Sequence, residues 1–279
     1  MGMAIHRAAH QMFDHPPVFV DPFAERILSQ GMRAALEKQP HYRRTRLSPS
    51  LYVRSMLAAR SRVAEEALAL AVGRGVRQYV VLGAGLDTFA LRNSTPGLQV
   101  FEVDYPSTQA FKRTRLDEAG IAVPSTLRFV PVDFERQELR AELLRGGLDP
   151  GQPTFFSWLG VVMYLQRDVI LATLRATASL AGHAGGVAFD FIGRPPRWNV
   201  FLRAFIWYRS RLVARLGEPF RTFLMPDDAQ QLLSEAGFRE IVILGPDALN
   251  QRYFTGRGDG LRVTPVSHMA VATNGARAL

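Results

Sequence analysis

The residues of this chain with the most legible chemistry stand in one short string, Gly83-Ala84-Gly85-Leu86-Asp87-Thr88, directly after the apolar run Gln78-Tyr79-Val80-Val81-Leu82. A strand that ends on Gly-x-Gly can turn sharply and let a ligand approach its backbone with no Cβ in the way. By itself that describes many nucleotide sites. Two carboxylates narrow it. Asp104, followed by Tyr105, closes a second apolar run 21 residues after Gly83. A carboxylate there can accept two hydrogen bonds from ribose hydroxyls. Asp133 closes a third run, where it can accept from the exocyclic amine of adenine while Phe134 packs on the ring.

The loop itself separates the candidate ligands. A dinucleotide loop wants a small residue at position 88, so that a helix N-terminus can meet the pyrophosphate. Here Thr88 follows the acidic Asp87. An acidic loop suits a cation better than a diphosphate. The pattern therefore points to the sulfonium nucleoside S-adenosylmethionine, and away from NAD as the cofactor of an oxidoreductase.

Positioning these residues requires strands that alternate with helices. Short β-branched runs predict strands at 78–82, 98–104, 127–133, from 153, at 185–191, 239–244 and 266–273. Helical spacing fills 51–72, 106–119, 135–145, 167–180 and 227–236 between them, with Asp227 as the cap of the last. Asp21-Pro22 predicts a further capped helix over 22–28. Alternation at this spacing predicts an α/β protein with a Rossmann-like, seven-stranded, mostly parallel sheet and helices on both faces. An N-terminal helical segment over 1–50 precedes the domain of 51–279, and a helical lid insertion interrupts it at about 194–222.

The insertion carries Trp198, Phe201, Phe205, Trp207 and Tyr208, interleaved with Arg203, Arg209, Arg211 and Arg215. Trp198, Phe201, Phe205, Tyr208 and Arg209 are the candidate substrate contacts, suited to an aromatic or acidic small molecule. An amphipathic helix packed on the domain would show the same pattern.

Composition bounds the rest. At 279 residues and 47% apolar, one large domain with an elaboration fits best. No window approaches the roughly 20 apolar residues of a membrane span, and residues 1–20 lack the apolar core of a secretory signal. The absence of cysteine excludes disulfides, thiolate metal sites and thiol nucleophiles, and no metal site is expected. A cytoplasmic location is the default expectation. The net charge of +9 favours anionic partners, yet the arginines are spread along the chain, as on an ordinary solvated surface.

Ordered motifs along the chain resemble the leucine carboxyl methyltransferase-like family of class I methyltransferases, which includes bacterial polyketide O-methyltransferases. They are Pro17-Val18-Phe19-Val20-Asp21-Pro22, Ala59-Arg60-Ser61-Arg62, the string from Val81 to Thr88, the strand ends Phe101-Glu102-Val103-Asp104 and Val130-Pro131-Val132-Asp133-Phe134, and the run from Trp158 to Leu165. The resemblance implies methyl transfer from S-adenosylmethionine, with S-adenosylhomocysteine as product. It implies that Arg60 binds the methionine carboxylate, that Gly83 and Gly85 pass beside the methionine moiety, that Asp104 holds the ribose, and that Asp133 and Phe134 hold the adenine. The chain departs from the pattern at Leu159, where many members carry Glu; Ser157 or backbone carbonyls are the expected substitutes.

Methyl transfer is an in-line displacement that depends on positioning more than on a dyad. If a base is used, Tyr164, His10 and His15 are candidates by position. The leading expectation is O-methylation of a carboxylate or hydroxyl on a small molecule. The alternatives are a nucleic-acid methyltransferase, against which stands the lack of an Asn-Pro-Pro-aromatic motif, and a non-catalytic binding module. For assembly, a homodimer is an open alternative to the monomer.

Overall fold

The computed structural model describes residues 2–38, 49–195, 219–275 and 278–279, and residues 198, 200, 203, 204, 206, 207, 210 and 211 of the insertion. The basic run from His41 to Arg46, and Phe201, Phe205, Tyr208, Arg209 and Arg215, lie outside the described residues.

The seven expected strands form one sheet. They are β1 (Gln78–Leu82), β2 (Gln99–Asp104), β3 (Leu127–Pro131), β4 (Thr154–Trp158), β5 (Gly186–Ile192), β6 (Glu240–Leu244) and β7 (Ser267–Thr273). Their order is β3-β2-β1-β4-β5-β7-β6. The first five run parallel, and β7 lies antiparallel between β5 and β6.

The helices among the described residues are α1 (Gly2–Phe13), α2 (Gln30–Lys38), α3 (Pro49–Gly73), α4 (Phe89–Arg92), α5 (Pro106–Glu118), α6 (Leu139–Arg145), α7 (Arg167–Ala181), α8 (Pro226–Ala236) and α9 (Pro246–Tyr253). The period-2 alternation of the strands sorts their side chains onto two faces. Val80, Leu82, Phe156, Trp158, Phe189 and Phe191 join one core layer, with α6, α7 and α8. Tyr79, Val81, Phe155, Ala188, Met269 and Val271 join the other, against the Ala59, Val63, Ala67 stripe of α3.

Several local expectations are corrected. Residues 22–28 form turns in place of a helix. The Asp21 carboxylate does accept from the Phe23 N–H at 3.1 Å, as a cap would, but its other oxygen is taken by Thr88. Tertiary contacts override the local signal. α1 and α2 make up the expected helical N-terminal segment at bounds that were not anticipated, α9 was not anticipated at all, and α6 starts at Leu139 because 132–138 turn around Asp133. In α8 it is Asp228, and not Asp227, whose carboxylate accepts the Met225 N–H, at 2.9 Å.

The N-terminal segment locks onto the domain through buried charge. Arg54 donates to both oxygens of Asp14, at 2.8 and 2.9 Å, and His10 Nδ1 lies 2.9 Å from the same carboxylate. Burial pushes the Asp14 carboxyl up, but hydrogen bonds from His10 and Arg54 outweigh it and hold the carboxyl below its ordinary range.

Candidate functional site

Three strands end level with one another at the centre of the sheet. β1 pairs with β2 through Leu82 and Val103, and with β4 through Leu82 and Trp158. Gly83, Asp104 and Leu159 therefore leave their strands side by side. The strand order reverses at β1, and such a reversal leaves a crevice beyond the carboxyl ends of the strands, where ligands bind in open α/β sheets.

The glycine loop crosses this crevice. The Gly83 and Ala84 N–H groups both donate to the Val103 carbonyl, at 2.7 and 3.1 Å. Gly83 and Gly85 have φ of 66° and 51°, the left-handed region that favours glycine. A Cβ on Gly83 would also run into the Val161 side chain, so the loops after β1 and β4 press on each other. Asp104 fastens the loop: its carboxylate accepts from the Gly85 N–H at 2.6 Å and the Tyr105 N–H at 2.7 Å. Burial pushes the Asp104 carboxyl up. The N–H groups of Gly85 and Tyr105 and the Thr108 side chain pull it back without cancelling the rise. Each carboxylate oxygen can accept more than one hydrogen bond, so acceptor capacity for a diol remains.

Beside it, the Tyr105 hydroxyl donates to Asp133 Oδ1 at 3.2 Å, and the Glu135 N–H donates to the same oxygen at 2.9 Å. Phe134 is half-buried and packs on the core. On the other side of the crevice, Arg60 reaches in from α3 and its Nη1 donates to Asp190 Oδ2 of β5, at 3.1 Å. The Gly160 N–H donates to Asp190 Oδ1. Gly160 has φ of 77°, and a Cβ there would lie 2.7 Å from Arg60 Nη1, so the guanidinium rests on bare backbone.

The remaining candidates have other surroundings. Asp87 accepts from the Phe89 N–H at 2.7 Å and starts α4. Ser157 is fully buried and accepts from the Tyr79 hydroxyl at 2.7 Å. Leu159 packs into the α3 layer of the core. His10 has both ring nitrogens engaged: Nδ1 at Asp14, and Nε2 accepting from the Val18 and Phe19 N–H groups at 3.0 and 3.2 Å. Its neutral Nδ1–H form satisfies all three contacts and leaves no lone pair for a substrate proton. His15 is exposed, with Nε2 3.2 Å from the Met12 carbonyl. Tyr164 closes the 3-10 turn Val162–Tyr164, its ring 5.5 Å from that of Phe220. Trp198 is 79% exposed, and Trp207 packs under the Arg211 guanidinium.

Three supports of the site make contacts that no sequence pattern announces. Thr88 is buried and donates to Asp21 at 2.6 Å, and Arg7 donates to the Leu86 carbonyl. The N-terminal segment therefore holds the glycine loop from outside. Lys112, fully buried, donates from Nζ to the Asp87 carbonyl at 2.6 Å and pairs with Glu102. Asp190 is the third, and its signal was present: a carboxylate inside the apolar run Val187-Ala188-Phe189-Asp190-Phe191.

This sheet order, with a glycine loop at its reversal and an acidic end on the next strand, is that of a class I methyltransferase, which uses S-adenosylmethionine. The chain belongs to the leucine carboxyl methyltransferase family, which it matches over residues 1–178. It is 32% identical over 212 residues to YktD of Bacillus subtilis strain 168, a protein with the provisional name S-adenosyl-L-methionine-dependent methyltransferase; the match covers 75% of this chain and 69% of YktD. A relative of the same provisional name from Rhodococcus jostii is 35% identical over 157 residues, which cover 54% of this chain and 53% of the relative. Among solved structures, a DUF574 family protein from Streptomyces avermitilis shares the fold with a TM-score of 0.57 at 16% identity, over 98% of this chain and 97% of that one.

Proposed function

We propose that the chain methylates oxygen, a carboxylate or a hydroxyl, on a small acidic or aromatic molecule. The observation that carries this reading is where the insertion begins and returns. β5 ends at Ile192, and the Leu224 N–H donates back to the Ile192 carbonyl at 3.1 Å. The Arg221 and Thr222 N–H groups donate to the Met163 carbonyl, at 2.8 and 3.2 Å. The insertion thus leaves from the carboxyl end of β5 and returns to it past the turn that follows β4. A segment so anchored can cover the crevice, and its aromatic and arginine residues suit an aromatic or acidic guest.

When bound, S-adenosylmethionine supplies an electrophilic methyl group on a sulfonium. The residues fit such a ligand: Arg60 for its carboxylate, Asp104 for its ribose diol, Asp133 with Phe134 for its purine, and the bare backbone of Gly83, Gly85 and Gly160 for close approach. The chain's own contribution to the transfer is to hold the acceptor in line and exclude water. With His10 committed to its own segment, a carboxylate acceptor, which needs no base, fits best. For a hydroxyl acceptor, Tyr164 in the turn after β4 is the candidate to orient it.

Transfer of isotope-labelled methyl to a panel of aromatic acids, phenols and a single-stranded oligonucleotide tests the proposal. Label should enter the small acids or phenols, as base-labile esters in the first case. Deleting 194–222 should abolish this transfer and spare S-adenosylhomocysteine affinity. Label that enters only the oligonucleotide, or turnover that survives the deletion, contradicts it.

A further inference from the structure

A charge inside a strand covered on both faces is costly unless it is paired. Asp190 is such a residue, 3% exposed in β5. The strand's alternation turns it toward α3, since Ala188 joins the α3 layer while Phe189 and Phe191 join the opposite one. That direction lets it meet Arg60. The ladder between β4 and β5 ends at Trp158 and Phe189, which sets Asp190 level with Leu159. The motif that elsewhere carries Glu carries an apolar residue here, and a carboxylate arrives at the same level from the next strand.

Both of its oxygens are aimed. One receives Arg60 Nη1 and the other the Gly160 N–H. Arg60 has five N–H donors in a planar fork, and Asp190 engages one of them. A second carboxylate can take the others. The cluster then presents a cation and an anion a few ångströms apart, on backbone that no Cβ obstructs. An α-amino acid end, itself a zwitterion, has the complementary pair of charges.

We propose that Asp190 fits the crevice to the zwitterionic end of the methyl donor: it fixes the Arg60 guanidinium against Gly160 for the ligand's carboxylate, and its own carboxylate receives the ligand's ammonium. This rests on the donor reading above. Asp190 is a binding and positioning residue and takes no part in the transfer itself.

Calorimetry on the full chain tests it with three probes: S-adenosylhomocysteine, its analogue lacking only the α-amine, and 5′-methylthioadenosine, which lacks the amino acid end. The unaltered chain should bind S-adenosylhomocysteine about 10- to 100-fold more tightly than the des-amino analogue, as for one charge-assisted hydrogen bond. Asp190→Asn should close that gap and leave methylthioadenosine affinity unchanged. Equal binding of the first two probes by the unaltered chain overturns the proposal, and needs no variant to fold. So does an Asp190→Asn chain that weakens all three alike, since that is a structural effect. Silence with all three overturns the donor reading itself, and this proposal with it.

Discussion

Asp104 shows what a single residue does here. Its position at the end of β2 was legible in the sequence, but its contact with the glycine loop was not: it fastens the loop through Gly85 and keeps acceptor capacity to spare. Removing a charged acceptor of this kind costs about 1.5–3 kcal/mol. Asp104→Ala should therefore weaken S-adenosylhomocysteine binding by that amount in calorimetry. The pH dependence follows from the upward shift of the carboxyl. The ionised form accepts hydrogen bonds without competition from its own proton, so affinity should fall on acidification at a pH above the ordinary Asp range. In Asp104→Asn that step should vanish. Asp190 and Thr88 mark the limit of residue-level reading. Asp190 meets Arg60 across 130 residues of chain, and no local pattern encodes such a partner. Thr88 was read as unfriendly to a diphosphate, and its hydroxyl in fact ties the loop to Asp21.

Elements were most legible where both faces are apolar. All seven strands lie within two residues of the expected bounds, because β-branched runs ending on Gly or Asp have few other solutions. The helices whose bounds were missed have a physical reason. α1 buries Ala4, Ala8 and Ala9 with His6 and His10, a face of small and polar residues in place of the large apolar ones that mark a core helix. α9 is eight residues long and buries Leu249 alone. Between elements, the contact of α3 with the loop after β4 depends on Gly160. Gly160→Ala would force an L residue to φ near 77° and push a Cβ into the Arg60 guanidinium. Destabilisation of about 1 kcal/mol or more should appear in urea melts. Affinity should fall for S-adenosylhomocysteine while methylthioadenosine is spared, if the displaced guanidinium holds the amino acid end as proposed.

At the scale of the whole molecule, the sheet supplies the crevice and the N-terminal segment braces its glycine loop from outside. The N-terminal segment is anchored by the buried Asp14–Arg54–His10 cluster and reaches the glycine loop through Arg7 and Asp21. Asp14→Asn leaves Arg54 buried without its anion and should cost about 3–5 kcal/mol in unfolding free energy. The Asp14 carboxyl is held below its ordinary range. Its stabilisation is thus complete above the unfolded-state pKa and is lost as pH falls through the lower folded value. A chemical melt below pH 4 should show the difference between Asp14→Asn and the unaltered chain narrowing. The glycine loop and the strands around it were legible in the sequence but this lock was not, since Asp14 and Arg54 lie 40 residues apart with no shared motif. Among the described residues no helix is long and apolar enough to cross a membrane. Isothermal calorimetry of the unaltered chain with S-adenosylmethionine, S-adenosylhomocysteine and NAD tests whether the crevice at the β1 reversal binds the methyl donor. Saturable binding of both sulfur nucleosides, weakened by Asp104→Ala, with no heat from NAD, is the predicted result; NAD binding with silence from the other two would contradict it.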